Sequence, residues 1–274
     1  MPHVQRTIKP SRANLIQGLK ENVSPEALRT LKPGTATAQE PQAVAGSTAC
    51  TLDSYPCITQ KPTPAAFAGN TSIASLQVGL GDKIPRWKAN TTINFAALEQ
   101  GYPEPEMALL AANKLNEAAG EWNALNLGVR FAWVEKMKDA AFLLSFATQR
   151  SPGTLAEAFF PNEVDLNSLI VYPAAFQPGT VQYLKNIFLH ELGHVLGLRH
   201  EFAPELEKGA GLDSVQVGPR NPTSVMGYEI PPIMQDSDID STKVFYKFPG
   251  KKLGVRQNLP EEGGLRIVDF DPNN

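Results

Sequence analysis

The sequence is poor in cysteine and has no long apolar run. Its 274 residues include two cysteines, and no stretch approaches the roughly 18 apolar residues of a membrane-spanning helix. The amino-terminal residues lack the apolar core of a secretory signal. A net charge of -3 leaves no basic surface for nucleic acid. We therefore expect a soluble protein with no membrane span and no nucleic-acid partner.

The two cysteines, Cys50 and Cys57, lie in a stretch rich in Ala, Thr, Pro, Gly and Ser. A disulfide between them is the simplest interpretation, and it would favour an oxidising compartment. The alternatives are a pair of reduced thiols and a zinc-directed role. We expect a secreted, extracellular protein, with the cytoplasm as the alternative.

Histidine is also scarce, and three of the four histidines fall within residues 190–201. On a helix, His190 and His194 lie one turn apart on the same face, so both can reach a single metal ion. Gly197 can adopt a positive φ, which lets the chain leave the helix and return His200 as a third ligand. Three imidazoles leave a fourth zinc position open for water. This pattern predicts one catalytic Zn²⁺ ion rather than a closed structural site.

Glu191 directly follows the first of these histidines. A carboxylate beside the metal can take a proton from zinc-bound water as that water attacks a carbonyl group. The same carboxylate can then protonate the leaving amine. Glu191 is therefore the predicted general base. Short His-Glu-x-x-His matches arise by chance, but the extended spacing with a glycine and a third histidine makes this one specific.

A second motif, Ser-Val-Met-Gly-Tyr, runs from Ser224 to Tyr228. Together with the histidine motif it resembles the Met-turn of the metzincin zinc metallopeptidases. Glu201, directly after the third histidine, makes the pattern most similar to the astacin branch, and the resemblance covers roughly residues 86–248. It implies that Met226 forms a hydrophobic floor beneath the zinc. It also implies that the Tyr228 hydroxyl binds the metal or the oxyanion of the tetrahedral intermediate.

The resemblance implies an α/β (α+β) fold of the metzincin type. Such a catalytic domain has a twisted mixed sheet, an active-site helix and a C-terminal helix. We expect residues 82–274 to form this domain and residues 1–81 to form an irregular N-terminal extension or prosegment.

Periodicity and capping residues predict the individual elements. A long helix should open at Pro105, and Asp236 or Ser237 should cap the C-terminal helix. The other predicted helices cover residues 27–31 and 181–197, and the predicted strands cover residues 91–95, 129–134, 140–146 and 169–172. The chain from residue 251 onward carries no clear pattern.

Residues 153–161 look like the edge strand with which metzincins bind peptides. In this interpretation Leu155, Ala156, Glu157 and Ala158 pair antiparallel with an extended substrate through main-chain hydrogen bonds. A plain edge strand without a ligand is the alternative.

The extension also suggests latency. A thiolate of Cys50 or Cys57 could occupy the open zinc position. The pair Gly81-Asp82 resembles the aspartate switch of astacin prosegments. In astacins the residue matching Glu201 contacts the amino terminus of the mature enzyme.

We therefore predict a monomeric zinc-dependent metalloendopeptidase that hydrolyses peptide bonds in extended polypeptides. One alternative is a zinc-binding protein whose site is permanently covered by residues 1–80. A second alternative is a zinc hydrolase that acts on another amide.

Overall fold

The computed structural model describes residues 11–22, 24–35, 76–79, 83–148, 153–201, 214–254 and 263–272. Predictions about Cys50, Cys57, Gly81 and Asp82 lie outside these ranges. Within the ranges, the chain forms four α-helices and eleven short strands in a mixed α/β arrangement. None of the described helices is both long and apolar enough to cross a membrane.

A five-stranded mixed sheet forms the frame of the fold. Its strands, in order across the sheet, are β4 (Val129–Trp133), β3 (Thr91–Ala97), β5 (Phe142–Phe146), β7 (Asn167–Val171) and β6 (Ala156–Glu157). The first four are parallel, and β6 runs antiparallel to β7 at the edge. The strands are rich in β-branched and aromatic residues, which favour a pleated, half-buried surface. The four strands predicted from the sequence are thus confirmed by the structure. Their observed ends differ from the predicted ends by up to two residues.

Two helices cover the inner face of this sheet. Helix α2 (Pro105–Ala124) starts with Pro105 in its first turn, as predicted, and α3 (Leu184–Val195) packs against it. The core between the sheet and these helices contains fully buried side chains such as Phe95, Leu115 and Phe188. This arrangement is consistent with a zincin-like catalytic domain.

Two three-stranded sheets complete the frame around α3. One has the order β8 (Leu198–Arg199), β1 (Leu76–Val78) and β9 (Val215–Val217), with antiparallel pairing throughout. The other has the order β10 (Lys252–Leu253), β11 (Leu265–Phe270) and β2 (Lys83–Trp87). Strand β1 belongs to the predicted extension and lies in the centre of the first of these sheets. Its neighbour β8 directly precedes His200 in the chain. The domain boundary at residues 81 and 82 stays a prediction.

The described part of the extension is more regular than its sequence indicates. Helix α1 (Arg12–Asn22) packs on the outer face of the five-stranded sheet, where Ile16 joins a small cluster with Met137 and Leu143. The helix that was predicted at residues 27–31 is instead a 3-10 turn at Pro25–Leu28. It ends early because Thr30 forms an antiparallel bridge with Leu98 and is drawn into an extended conformation.

The C-terminal helix α4 (Asp236–Lys247) lies where it was predicted, but the predicted cap is wrong. Gln235, rather than Asp236 or Ser237, occupies the capping position and forms a capping box with Asp238. The backbone N–H of Gln235 donates to the Asp238 carboxylate at 2.9 Å. Asp238 also has hydrogen-bond partners outside the helix, as described below.

Candidate metal centre

Helix α3 carries the first two predicted ligands. It begins after a 3-10 turn at Val181–Tyr183 and brings His190 and His194 to the same buried side, one turn apart. Its α-helical part ends at Val195, two residues before the predicted end. Gly197 then adopts a φ of +94°, and a Cβ atom there would overlap the carbonyl oxygen of Pro85. Only glycine fits this turn.

The turn returns the chain so that His200 joins the other two histidines. Nitrogen atoms of His190, His194 and His200 all lie within 4.8 Å of one another, and the three side chains are fully buried. Their ring centroids are 4.8 to 5.3 Å apart. Three imidazoles that converge in this way fit the ligand set of a catalytic zinc ion.

The orientation of two rings supports the same conclusion. Nδ1 of His190 lies 2.8 Å from the carbonyl oxygen of Val225, and Nδ1 of His194 lies 2.8 Å from that of Leu198. A carbonyl can only accept, so each Nδ1 must carry the proton. This tautomer leaves Nε2 of both rings as the atom that can bind a metal.

The electrostatics favour neutral rings for His190 and His194. Burial lowers the pKa of His190 and of His194 well below its ordinary value, and the neighbouring His200 lowers both further. Both rings are therefore uncharged at neutral pH. Neutral imidazole is the form that ligates zinc.

Two aromatic side chains fix the carboxyl end of α3. Nε1 of Trp87 donates to the carbonyl of Val195 at 2.6 Å, and the hydroxyl of Tyr246 donates to that of Leu196 at 2.8 Å. The last carbonyl groups of a helix have no partner within the helix, and these side chains supply partners from distant parts of the chain. The sequence analysis missed both contacts.

Met226 packs directly beneath the same helix. A Cβ atom on Gly193 would overlap the sulfur of Met226 and lie 3.5 Å from the ring of Trp122. Because Gly193 lies between the two histidine ligands on α3, the buried methionine is next to the triad. This position fits the floor that the Met-turn resemblance implies. The indole of Trp122 is buried in the core and donates to the carbonyl of Leu189 at 2.9 Å.

The predicted base and the predicted tyrosine also lie at this centre. Glu191 is fully buried on α3, beside the first ligand. The ring of Tyr228 lies 4.9 Å from that of His200, and only 7% of Tyr228 is exposed. The fold thus brings Glu191 and Tyr228 to the triad.

The segment predicted to bind substrate contains a short edge strand, Ala156–Glu157, and its role in substrate binding stays a prediction. Leu155 and Ala156 are buried, whereas Glu157 and Ala158 are half-buried. The Tyr172 hydroxyl donates to the Glu157 carboxylate at 2.9 Å, which holds that side chain in place.

Phe160, just beyond this strand, was missed by the sequence analysis. Its ring meets the ring of His194 edge to face, with 5.4 Å between the centroids. The edge strand therefore leads directly to one of the predicted metal ligands. A phenylalanine pair before Pro161 was the only available signal, and such pairs are ordinary in cores.

Glu201 is buried behind the third ligand. The backbone N–H of Asn221 donates to its carboxylate at 2.7 Å, and the Glu201 N–H donates to the carbonyl of Met226 at 3.0 Å. Burial raises the pKa of Glu201 to about 8. The amino terminus lies outside the described residues, so the contact implied by the astacin resemblance stays a prediction.

Comparison with known proteins gives a family match for part of the chain. Residues 105–205 match the model of a family described as a dual-action HEIGH metallo-peptidase. The matched segment extends from α2 through the third histidine. The chain reads His-Glu-Leu-Gly-His from His190, so only Leu192 departs from the letters of that name. No curated protein matches the chain.

The family match and the histidine triad together support a zinc metallopeptidase. They do not show that the chain belongs to the astacin branch, so that assignment stays a prediction.

Proposed function

We propose that the chain is a zinc-dependent endopeptidase that hydrolyses peptide bonds in extended polypeptides. The observation that carries this proposal is the buried triad of His190, His194 and His200, with Glu191 beside the first ligand. The triad lies within the segment that matches a metallopeptidase family.

A bound zinc ion would supply Lewis-acid chemistry, in which a carbonyl group is polarised and the pKa of water falls to about 7. Glu191 accepts the proton of the attacking water and then donates it to the leaving nitrogen. Tyr228, beside His200, donates its hydroxyl proton in a hydrogen bond to the oxyanion that develops at the attacked carbonyl. Met226 packs under α3 and holds the two histidines of that helix in place.

Strand β6 is the proposed binding site for the polypeptide. It is the edge strand of the five-stranded sheet and runs antiparallel to β7. An extended peptide can add to such an edge through main-chain hydrogen bonds, with Leu155 to Ala158 as its partners. Binding of this kind does not require a chain terminus, which favours an endopeptidase. The proposed enzyme acts as a secreted monomer.

A latent form is the second candidate, and one observation favours it. His190, Glu191, His194 and His200 are each 0% exposed, so a polypeptide cannot reach them in this conformation. Residues 11–22 and 24–35 of the extension are not the cover, because they pack on the outer face of the sheet and along α2. In this case proteolysis or a conformational change must precede hydrolysis.

The first experiment compares the purified chain with its Glu191→Gln variant on a denatured protein substrate, with zinc content measured for both. Asp240→Asn, an exposed change on α4, is the matched control. We expect the chain and the control to cleave, and the Glu191 variant to keep its zinc but lose cleavage.

The assay is then repeated after limited proteolysis of all three proteins. Cleavage that occurs only after proteolysis, and only with Glu191 present, would indicate the latent enzyme. Zinc binding without cleavage in either state would favour a binding protein. Cleavage of small amides alone would favour the other hydrolase class.

A further inference from the structure

The carboxylate of Asp238, in the first turn of α4, has partners well beyond its own helix. One oxygen accepts the Ser224 hydroxyl at 2.6 Å. The other accepts the backbone N–H of Val225 at 2.8 Å and that of Gln235 at 2.9 Å. Two of its three hydrogen bonds therefore go to the segment that carries Met226.

These bonds lead on to a metal ligand. The carbonyl of Val225, whose N–H is bound by Asp238, is the group that accepts Nδ1–H of His190 at 2.8 Å. The hydroxyl of Ser224 also accepts the N–H of Met226 at 3.0 Å. Asp238 thus fixes three successive residues, and the middle one orients His190.

Capping of α4 does not by itself account for Asp238. The side chain is only 2% exposed, and burial raises its pKa above the ordinary value. A buried carboxylate is unfavourable unless several donors surround it. A residue that served only as a cap could remain in solvent, as Asp236 does in the same helical turn.

We propose that Asp238 is a positioning residue for the metal centre, because it holds the Val225 carbonyl that orients the imidazole of His190. The inference deepens the proposed function and rests on its zinc site. Outer partners of ligating histidines commonly change metal affinity by about 10- to 100-fold when they are removed.

The test compares Asp238→Ala and Asp238→Asn with Gln235→Ala. Gln235→Ala weakens the same capping box from its other side and leaves the bonds to Ser224 and Val225 intact. Three properties are measured on each full-length protein: the zinc dissociation constant by chelator competition, the visible spectrum of the Co²⁺ form, and the melting temperature. In the zinc-free protein, ¹⁵N chemical shifts report which nitrogen of His190 carries the proton.

We expect Asp238→Ala to weaken zinc binding about tenfold or more, to alter the Co²⁺ spectrum and to mix the two tautomers of His190. Asp238→Asn should recover most of the affinity, because its carbonyl oxygen can still accept both backbone N–H groups. Gln235→Ala should lower the melting temperature and leave zinc affinity, spectrum and tautomer unchanged.

Equal zinc affinity and an unchanged His190 tautomer in Asp238→Ala would overturn the inference while leaving the metal centre intact. An original chain that binds no zinc would overturn the proposed function, and the inference with it. If Asp238→Ala does not fold, Ser224→Ala serves as the test, because it removes one hydrogen bond to Asp238. We expect this variant to weaken zinc binding by a few fold and to perturb the His190 tautomer. If neither property changes, the inference is wrong.

Discussion

The sulfur of Met226 occupies the space that a side chain at Gly193 would need. Helix α3 and the segment from Ser224 to Tyr228 are therefore in direct contact. The contact lies at Gly193, between His190 and His194. Both residues are fully buried, so neither can move into solvent to relieve a larger neighbour. We therefore expect a change at position 193 to disturb the triad.

The change Gly193→Ala should destabilise the fold and weaken zinc binding. Overpacking a core usually costs about 1 to 3 kcal/mol, which outweighs the roughly 1 kcal/mol that alanine contributes in a helix. The measurements are the free energy of unfolding and the zinc dissociation constant. Gly120→Ala is the control, because a Cβ atom there meets nothing within 4 Å and the residue is exposed on α2. That variant should gain stability. A gain of stability in both would refute the packing argument.

The change Gly197→Ala should abolish high-affinity zinc binding. The residue needs a positive φ, and a Cβ atom would overlap the carbonyl oxygen of Pro85, so the turn toward His200 must open. Gly128→Ala is the control that tests backbone strain without a steric overlap. Gly128 has a φ of +84°, but no atom lies within 4 Å of its Cβ position. We expect the control to lose about 1 kcal/mol of stability and to keep its zinc affinity. Similar zinc affinities in the two variants would contradict this account.

The histidine triad was predictable because its geometry is local. His190 and His194 are placed by helical spacing alone, and Gly197 supplies the turn that returns His200. Met226 and Tyr228 were predicted from a short motif; Met226 lies against Gly193, and the ring of Tyr228 lies against that of His200. The chemical role of each remains a proposal.

The support for that centre was not predictable, because it comes from distant residues. Trp87 and Tyr246 donate to α3 across 108 and 50 positions of the chain, and no local pattern records such pairs. Asp238 was not singled out in the sequence analysis, since its bonds to residues 224 and 225 arise only after folding. Strand β11 escaped detection for the same reason, because its parallel partner β2 lies far earlier in the chain.

The change Tyr246→Phe should loosen the end of the active-site helix. It removes the hydrogen bond to the carbonyl of Leu196, and a buried carbonyl without a partner costs about 1 to 3 kcal/mol. Because the helix end leads into the turn toward His200, zinc affinity should fall together with the melting temperature.

Tyr102→Phe is the matched control for this experiment. The Tyr102 hydroxyl is buried without a hydrogen-bond partner among the described residues, and burial raises its pKa. Its removal should leave stability unchanged or improve it, because no bond is lost and an unpaired polar atom is eliminated. A similar loss of stability and zinc affinity in both tyrosine variants would show that the hydrogen bond to Leu196 is not the cause.

The change Arg12→Ala should destabilise the fold without affecting the zinc centre. Arg12 joins the start of α1 to three distant places: its main-chain and side-chain N–H groups donate to Asp165, and its guanidinium also donates to the carbonyls of Lys138 and Pro272. Loss of the side-chain bonds should cost about 1 to 3 kcal/mol, measured by chemical denaturation.

Arg29→Ala is the control for this change, because the Arg29 side chain is 62% exposed and its pair with Glu99 should contribute at most about 1 kcal/mol. Zinc affinity should be equal in the original chain and both variants, since neither arginine contacts the triad. That outcome would assign α1 to the stable body of the domain. Zinc affinity or cleavage that rises in Arg12→Ala alone would instead indicate that α1 restrains the active site, as a removable prosegment would.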